Sequence, residues 1–324
     1  MENEEYTGKS SEKGYEIGAY LLLLTTAIIW AFTWPLGRWL VSPEVGGETI
    51  PPMIIASLRY FLVIPCFFLI LKIKEGTLNI SLMKSQWKIF AFMGITSVTI
   101  YQAGYLIGEY YTSASDAVVI VSSHPMLVLF FASVILKMEK LNGLRIFGTL
   151  LSFAGILLIF RFSPNVDVPN RILGDILIFL GAIFYAQYIV VSRYFLNKYE
   201  QETFKPSSLY IITWVSFFGL FTTIPVSIII SPEYINPILY FQVPGRVWFG
   251  VAYLAFISTV LGYWFYLEGV KRLSASRAAI FQNLVPIFGV GLSVILLGEI
   301  FDPLIHFSSI LLIITGITLV NRGK

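Results

Sequence analysis

Runs of mostly apolar residues alternate with short polar stretches along the chain, at about 19–40, 51–71, 87–107, 116–136, 143–160, 172–194, 208–231, 246–267, 276–297 and 303–320. A helix of roughly 20 such residues crosses a hydrocarbon core about 30 Å thick. Backbone polar groups inside lipid must bond within their own segment, so the ten runs predict ten helices and an all-α integral membrane protein. Turn formers punctuate them: Ser42-Pro43, Glu75-Gly76, Ser163-Pro164-Asn165, Ser231-Pro232 and Asp302-Pro303. A polar, acidic tail, residues 1–16, precedes the first run; it lacks the basic stretch and small-residue cleavage site of a signal peptide, so the first run reads as an uncleaved span.

Charge adds an orientation. With the N-terminus placed in the cytoplasm, seventeen Lys and Arg fall in inside segments and three, Arg161, Arg171 and Arg246, fall outside. Arg38 and Arg59 lie within runs. The bias predicts both termini in the cytoplasm and supports the count of ten spans, because a missed or false span would invert every later loop. Composition agrees: 56% of the 324 residues are apolar and 13% charged, about half the charged share usual in soluble domains. The net charge of +3 gives no nucleic-acid footprint. The lone Cys66 forms no internal disulfide, and two histidines with one cysteine make no metal cluster. No cofactor motif is visible.

The two halves match at an offset of 161 residues. Ala114-Ser115-Asp116-Ala117 with Pro125 answers Ala275-Ser276-Arg277-Ala278 with Pro286; Gly108 answers Gly269 and Gly155 answers Gly316. Glu139 and Glu299 close the paired runs one residue out of step. Five spans per half is odd, so related halves enter the membrane in opposite senses. Such an inverted repeat suits alternating access. The division is a tail at 1–16, a first repeat at 17–160, an external linker at 161–171 and a second repeat at 172–321.

These features resemble the drug/metabolite transporter superfamily, and within it the ten-helix EamA-type carriers. The resemblance rests on Ala27-Ile28-Ile29-Trp30-Ala31, Arg59-Tyr60, the paired Ala-Ser-x-Ala…Pro…Glu runs and the glycine-bearing fifth and tenth runs, and it covers about residues 17–321. It implies a secondary transporter with a central cavity between the halves. The family often has Trp-Gly where this chain has Trp30-Ala31. Members move amino acids, sugars, nucleotide derivatives and other metabolites, so membership leaves the solute open.

Polar groups deep in a span are costly and need a reason. His124 lies about 12 Å into the fourth run, beside Pro125, whose missing N–H frees a carbonyl one turn back. It suits a substrate anion, a coupling proton or a packing contact. Gln282 and Asn283 precede Pro286 at the related place and read equally as amide contacts to a polar ligand or as interhelical bonds. Polar-tipped aromatics recur: Trp30 and Trp34 in the first run; Tyr101 and Tyr105, with Gln102, in the third; Tyr185 and Tyr188 in the sixth; Trp264 in the eighth. Trp30 and Tyr185 lie near mid-depth, where an interfacial belt does not explain them. Arg59 is expected to be a structural charge, paired within the protein. Glu109 and Asp116 are expected as solvated helix-end charges, and Asp175 in the first turn of its helix.

The reading that follows is a carrier that exports a small organic metabolite, an amino acid or similar polar or aromatic solute, with a proton or counter-solute as the other partner and no catalysis. No mid-membrane carboxylate is visible, which disfavours a multidrug cation antiporter. A nucleotide-sugar-like exchanger stays open, as does, from another class, a channel or lipid scramblase. The sequence leaves the oligomeric state undetermined.

Overall fold

The computed structural model describes residues 2–138, 140–163, 168–272 and 281–322. Among the described residues nine helices are long and apolar enough to cross a membrane: Ile17–Val41, Pro52–Glu75, Trp87–Tyr111, Ala114–Ile135, Gly143–Phe162, Arg171–Lys198, Ser208–Ile230, Gly245–Val270 and Pro303–Val320. A shorter apolar helix, Leu284–Leu297, stands in the place of the ninth expected span. Spans are numbered one to ten in chain order, with Leu284–Leu297 as the ninth. Glu139 and the Ala275-Ser276-Arg277-Ala278 start lie outside the described residues.

The first helix starts earlier than the apolar pattern indicates, running Glu2–Val41 through the polar tail. Glu and Lys are good helix formers, and extending an existing helix avoids the cost of a new nucleus. The fourth span is broken into Ala114–Val121 and His124–Phe130 by a turn at residues 122–123. Pro125 accounts for it: its ring excludes the carbonyl of Val121 and it offers no N–H. Asn283, the repeat mate of Ser122, is likewise a turn residue, and Pro286 sits in the first turn of the helix that follows. The third and eighth spans each contain a π-helical stretch, Ile95–Ile100 and Tyr253–Leu261. Shifting the first by the repeat offset lands it inside the second. Nothing in the apolar pattern marks these turns, which often sit at functional sites.

Packing shows how the halves are related. Spans five and ten lie against each other. A Cβ on Gly148 would meet the Gly316 carbonyl at 2.5 Å, and one on Gly155 would meet the Ser309 carbonyl at 2.8 Å. The repeat offset turns each of these contacts into the other, and their order makes the two helices antiparallel. Ser152 Oγ donates to the carbonyl of Ile313, its own repeat mate, at 3.3 Å. Mates that touch must lie at the axis between the halves. The wider contacts exchange in the same way: span one packs on eight and nine, span six on three and four, and span two on seven. The fold is two inverted five-helix repeats. Large apolar side chains such as Phe61, Leu69, Leu150, Phe221 and Ile295 point outward from the bundle, as a lipid-facing surface requires.

Candidate substrate site

Tyrosines from both halves meet at the centre of the bundle. The Tyr101 and Tyr185 rings lie 4.7 Å apart, with Tyr188 5.6 Å beyond Tyr185. His124, at the break in the fourth span, stands 4.9 Å from the Tyr185 ring and 6.1 Å from Tyr101. The Tyr185 and Tyr263 hydroxyls hydrogen-bond at 2.7 Å. A cavity beside them is lined by Tyr60, Ser97, Tyr185, Tyr188, Thr259 and Tyr263 among others, and its volume is about 20 Å³, room for about one water. The cavity lies between the repeats, with Tyr60 and Ser97 from the first and Tyr185, Tyr188, Thr259 and Tyr263 from the second. Close helix approach builds it: Gly104 and Gly181 bring spans three and six together, since a Cβ on Gly104 would come within 2.8 Å of the Gly181 Cα.

The sequence candidates divide. His124, Tyr101, Tyr185 and Tyr188 share this cluster, and Nε2 of His124 has no hydrogen-bond partner among the described residues. Gln102 and Arg59 stand next to it. Arg59, 8% exposed, donates from Nε and Nη2 to Thr259 Oγ1 at 3.0 and 2.8 Å and from Nη1 to Gln102 Oε1 at 3.4 Å. Its partners are neutral. Trp30 lies to one side, donating from Nε1 to the Ser258 carbonyl at 3.1 Å and packing on Tyr263 and Tyr266. Trp34 and Tyr105 form an edge-to-face pair at 5.0 Å one turn further along, joined to the cluster by the Tyr105 ring stacked 6.4 Å from Tyr101, and the Tyr105 hydroxyl donates to the Thr33 carbonyl at 2.7 Å. Trp264 does not join the cluster: it is 46% exposed and lies beneath the Lys74 ammonium. Gln282 is exposed and Asn283 half-buried; among the described residues no hydrogen bond or ring contact ties either to the tyrosines. A span apolar on all sides gives no rotational phase, so the sequence could not separate these faces.

A buried ionic cluster lies at one end of the bundle, contrary to the solvated positions expected for Glu109 and Asp116. Glu109, Asp116 and Asp175 are each 0% exposed; they are buried, not solvated. They gather where spans one, three, five and nine end and spans four, six and ten begin. Glu299 accepts from the Ala114 and Ser115 amides at 2.7 and 2.9 Å and from Ser115 Oγ at 2.6 Å, closing the free N–H groups at the start of span four. Arg38 is 4.0 Å from Glu299 and donates to the carbonyls of Glu109 and Tyr110. Asp175 is the fifth residue of its helix, past the first turn; it accepts from Thr112 at 2.6 Å and pairs with Arg171 at 3.2 Å. Asp116 accepts from Ser163 at 2.7 Å and lies 3.7 Å from Arg171 and 3.3 Å from His306 Nε2. The other His306 nitrogen faces the Asp302 carbonyl at 2.9 Å. His306, near a helix start, gave no signal in the sequence. Acidic letters at a run's end look alike whether water or another helix covers them.

Comparison with known proteins identifies the family. The profile of the EamA-like transporter family matches residues 17–161 and 172–322. "Uncharacterized transporter YyaM" of Bacillus subtilis is 27% identical over 84% of this chain and 83% of its own. The "Probable amino-acid metabolite efflux pump" of Escherichia coli is 23% identical over 92% of each chain. A solved crystal structure superposes with a TM-score of 0.62 at 17% identity, covering 94% of this chain and 96% of that one; at that identity it speaks to the fold alone.

Proposed function

Since the chain belongs to the EamA-like transporter family, and is therefore a multi-pass membrane transporter, we propose that it exports a small organic solute of amino-acid or related aromatic type by alternating access, with the tyrosine cavity as the solute site. The observation that carries this is the cavity's position: Tyr60 and Ser97 of one repeat face Tyr185, Thr259 and Tyr263 of the other, so a rocking of the repeats opens it to either side. Both termini lie in the cytoplasm, in line with the Lys and Arg bias, and the ionic cluster is the external seal. Its buried pairs close one end, while at the other Trp30 and Tyr266 close by ring contact. The structure is then an occluded state.

His124 contributes an Nε2 with no hydrogen-bond partner among the described residues, the tyrosines apolar faces with hydroxyl tips, and the breaks at Pro125 and Pro286 the points where spans four and nine bend. No acidic side chain lines the cavity among the described residues, which argues against a cation antiporter using a carboxylate there. The name carried by the Escherichia coli relative supports export of amino-acid-like solutes. The test is counterflow: proteoliposomes of the full chain loaded with each unlabelled amino acid and diluted into its radiolabelled form. Saturable, transient accumulation for at least one aromatic amino acid is expected. Flux that never saturates, at channel-like rates, would replace the carrier with a pore.

A further inference from the structure

Arg59 differs from its buried relatives. Arg38 and Arg171 each have a carboxylate within 4.0 Å. Arg59 is the eighth residue of span two, about 12 Å from its start, too deep to reach water. No carboxylate lies within ion-pair distance of it among the described residues. Its fork is held by Thr259, which spends its own proton on the Leu254 carbonyl at 2.7 Å and so turns only lone pairs to the guanidinium. Gln102 adds one weak contact. Two of the five guanidinium N–H groups have no acceptor among the described residues. An ion buried without a counter-charge costs several kcal/mol, and neutral oxygens recover part of that. Thr259 and Tyr60, the two residues flanking the guanidinium, are also walls of the cavity.

Resting on the carrier reading above, we propose that the solute supplies the missing charge: the site is built for an aromatic monocarboxylate, its carboxylate on the two Nη N–H groups of Arg59 that Thr259 and Gln102 leave free and its ring among Tyr101, Tyr185, Tyr188 and Tyr263. Two parallel N–H···O bonds fit a carboxylate to a guanidinium. One cation without a second matches one negative charge, so a dianionic phosphate fits worse. The cavity lining offers hydroxyls and no acid to an ammonium, so an α-amino group is dispensable. Selection is by the anion.

The experiment is thermal unfolding of the purified full chain with three probes sharing one ring: tryptophan, indole-3-propionate without the amine, and tryptamine without the carboxylate. A ligand that binds the folded state raises the unfolding temperature by mass action. Tryptophan and indole-3-propionate should both raise it saturably and tryptamine should not. Arg59→Gln should weaken indole-3-propionate at least about ten-fold, the loss of one charge-assisted contact, and Arg59→Lys, which keeps the charge and the fold's demand for it, should keep part of the binding. Stabilisation by tryptamine equal to that by tryptophan overturns the proposal, as does unweakened anion binding by Arg59→Gln. If Arg59→Gln does not fold, Arg59→Lys decides alone: unchanged affinity for indole-3-propionate, where the bidentate fork is gone, counts against it. No response to either anion, alongside successful counterflow of another solute, overturns this proposal and leaves the carrier standing; failed counterflow with an intact anion response does the reverse.

Discussion

At the scale of single residues, the central tyrosines and His124 carry the proposed site, and each has a distinct expected loss. Tyr185→Phe removes the hydroxyl bonded to Tyr263 at 2.7 Å. That bond lies within the protein and is worth about 1 kcal/mol of stability, so Tyr185→Phe should lower the unfolding temperature slightly; an unchanged unfolding temperature would mean the bond holds nothing in place. His124 Nε2 spends nothing on the protein. His124→Ala should therefore leave the unfolding temperature near the parent's while solute flux falls; a marked loss of stability with unchanged flux would make it a packing residue. Gln282 is exposed and untied to the cluster, so Gln282→Ala should change flux less than about two-fold, the scale of an ordinary surface substitution. His124 was legible because a polar ring beside a mid-span proline is rare and costly. The burial of Glu109, Asp116 and His306 was not, because one-dimensional spacing does not say which neighbour covers a helix end. Trp264 erred the same way in rotation rather than depth.

Among the helices, two contacts decide whether the repeats dock. Gly316 lies against Ser152 and the Gly148 carbonyl with no room for a Cβ. Gly316→Val should cost about 1–3 kcal/mol through overpacking, read as a lower unfolding temperature, whereas Gly291→Ala, with nothing within 4 Å, should have no such effect. Glu299 closes the start of span four and balances Arg38. Glu299→Ala should cost about 3 kcal/mol, as for a buried pair losing one partner, and speed amide hydrogen exchange at Ala114 and Ser115; protected amides there would mean that Glu299 seals nothing. The helix breaks were legible because Pro125 and Pro286 announce them. The π-helical turns were not, because no proline or glycine is needed to widen a turn that neighbouring helices hold in place. The contact between Ser152 and Ile313 joins two letters that a 161-residue offset relates, yet only packing shows that mates touch.

For the whole molecule, ten apolar runs, a charge bias and a duplication specified most of the architecture before any coordinate. What they left out was the conformational state, which depends on how two similar halves lean. Here the buried ionic cluster is fully assembled and the cavity of about 20 Å³ holds room for about one water. Alternating access requires that the two ends open in opposition. Spin labels report this directly in a Cys66→Ala background, with one pair of cysteines replacing Thr49 and Glu233 at the external loops and another replacing Thr77 and Glu202 at the internal ones, all exposed positions. Pulsed distance measurements in lipid, with and without a solute that supports counterflow, should show the external distance lengthening as the internal one shortens within one population shift. Distances that stay fixed at both ends, or that lengthen together, while the same samples still transport, would contradict alternating access.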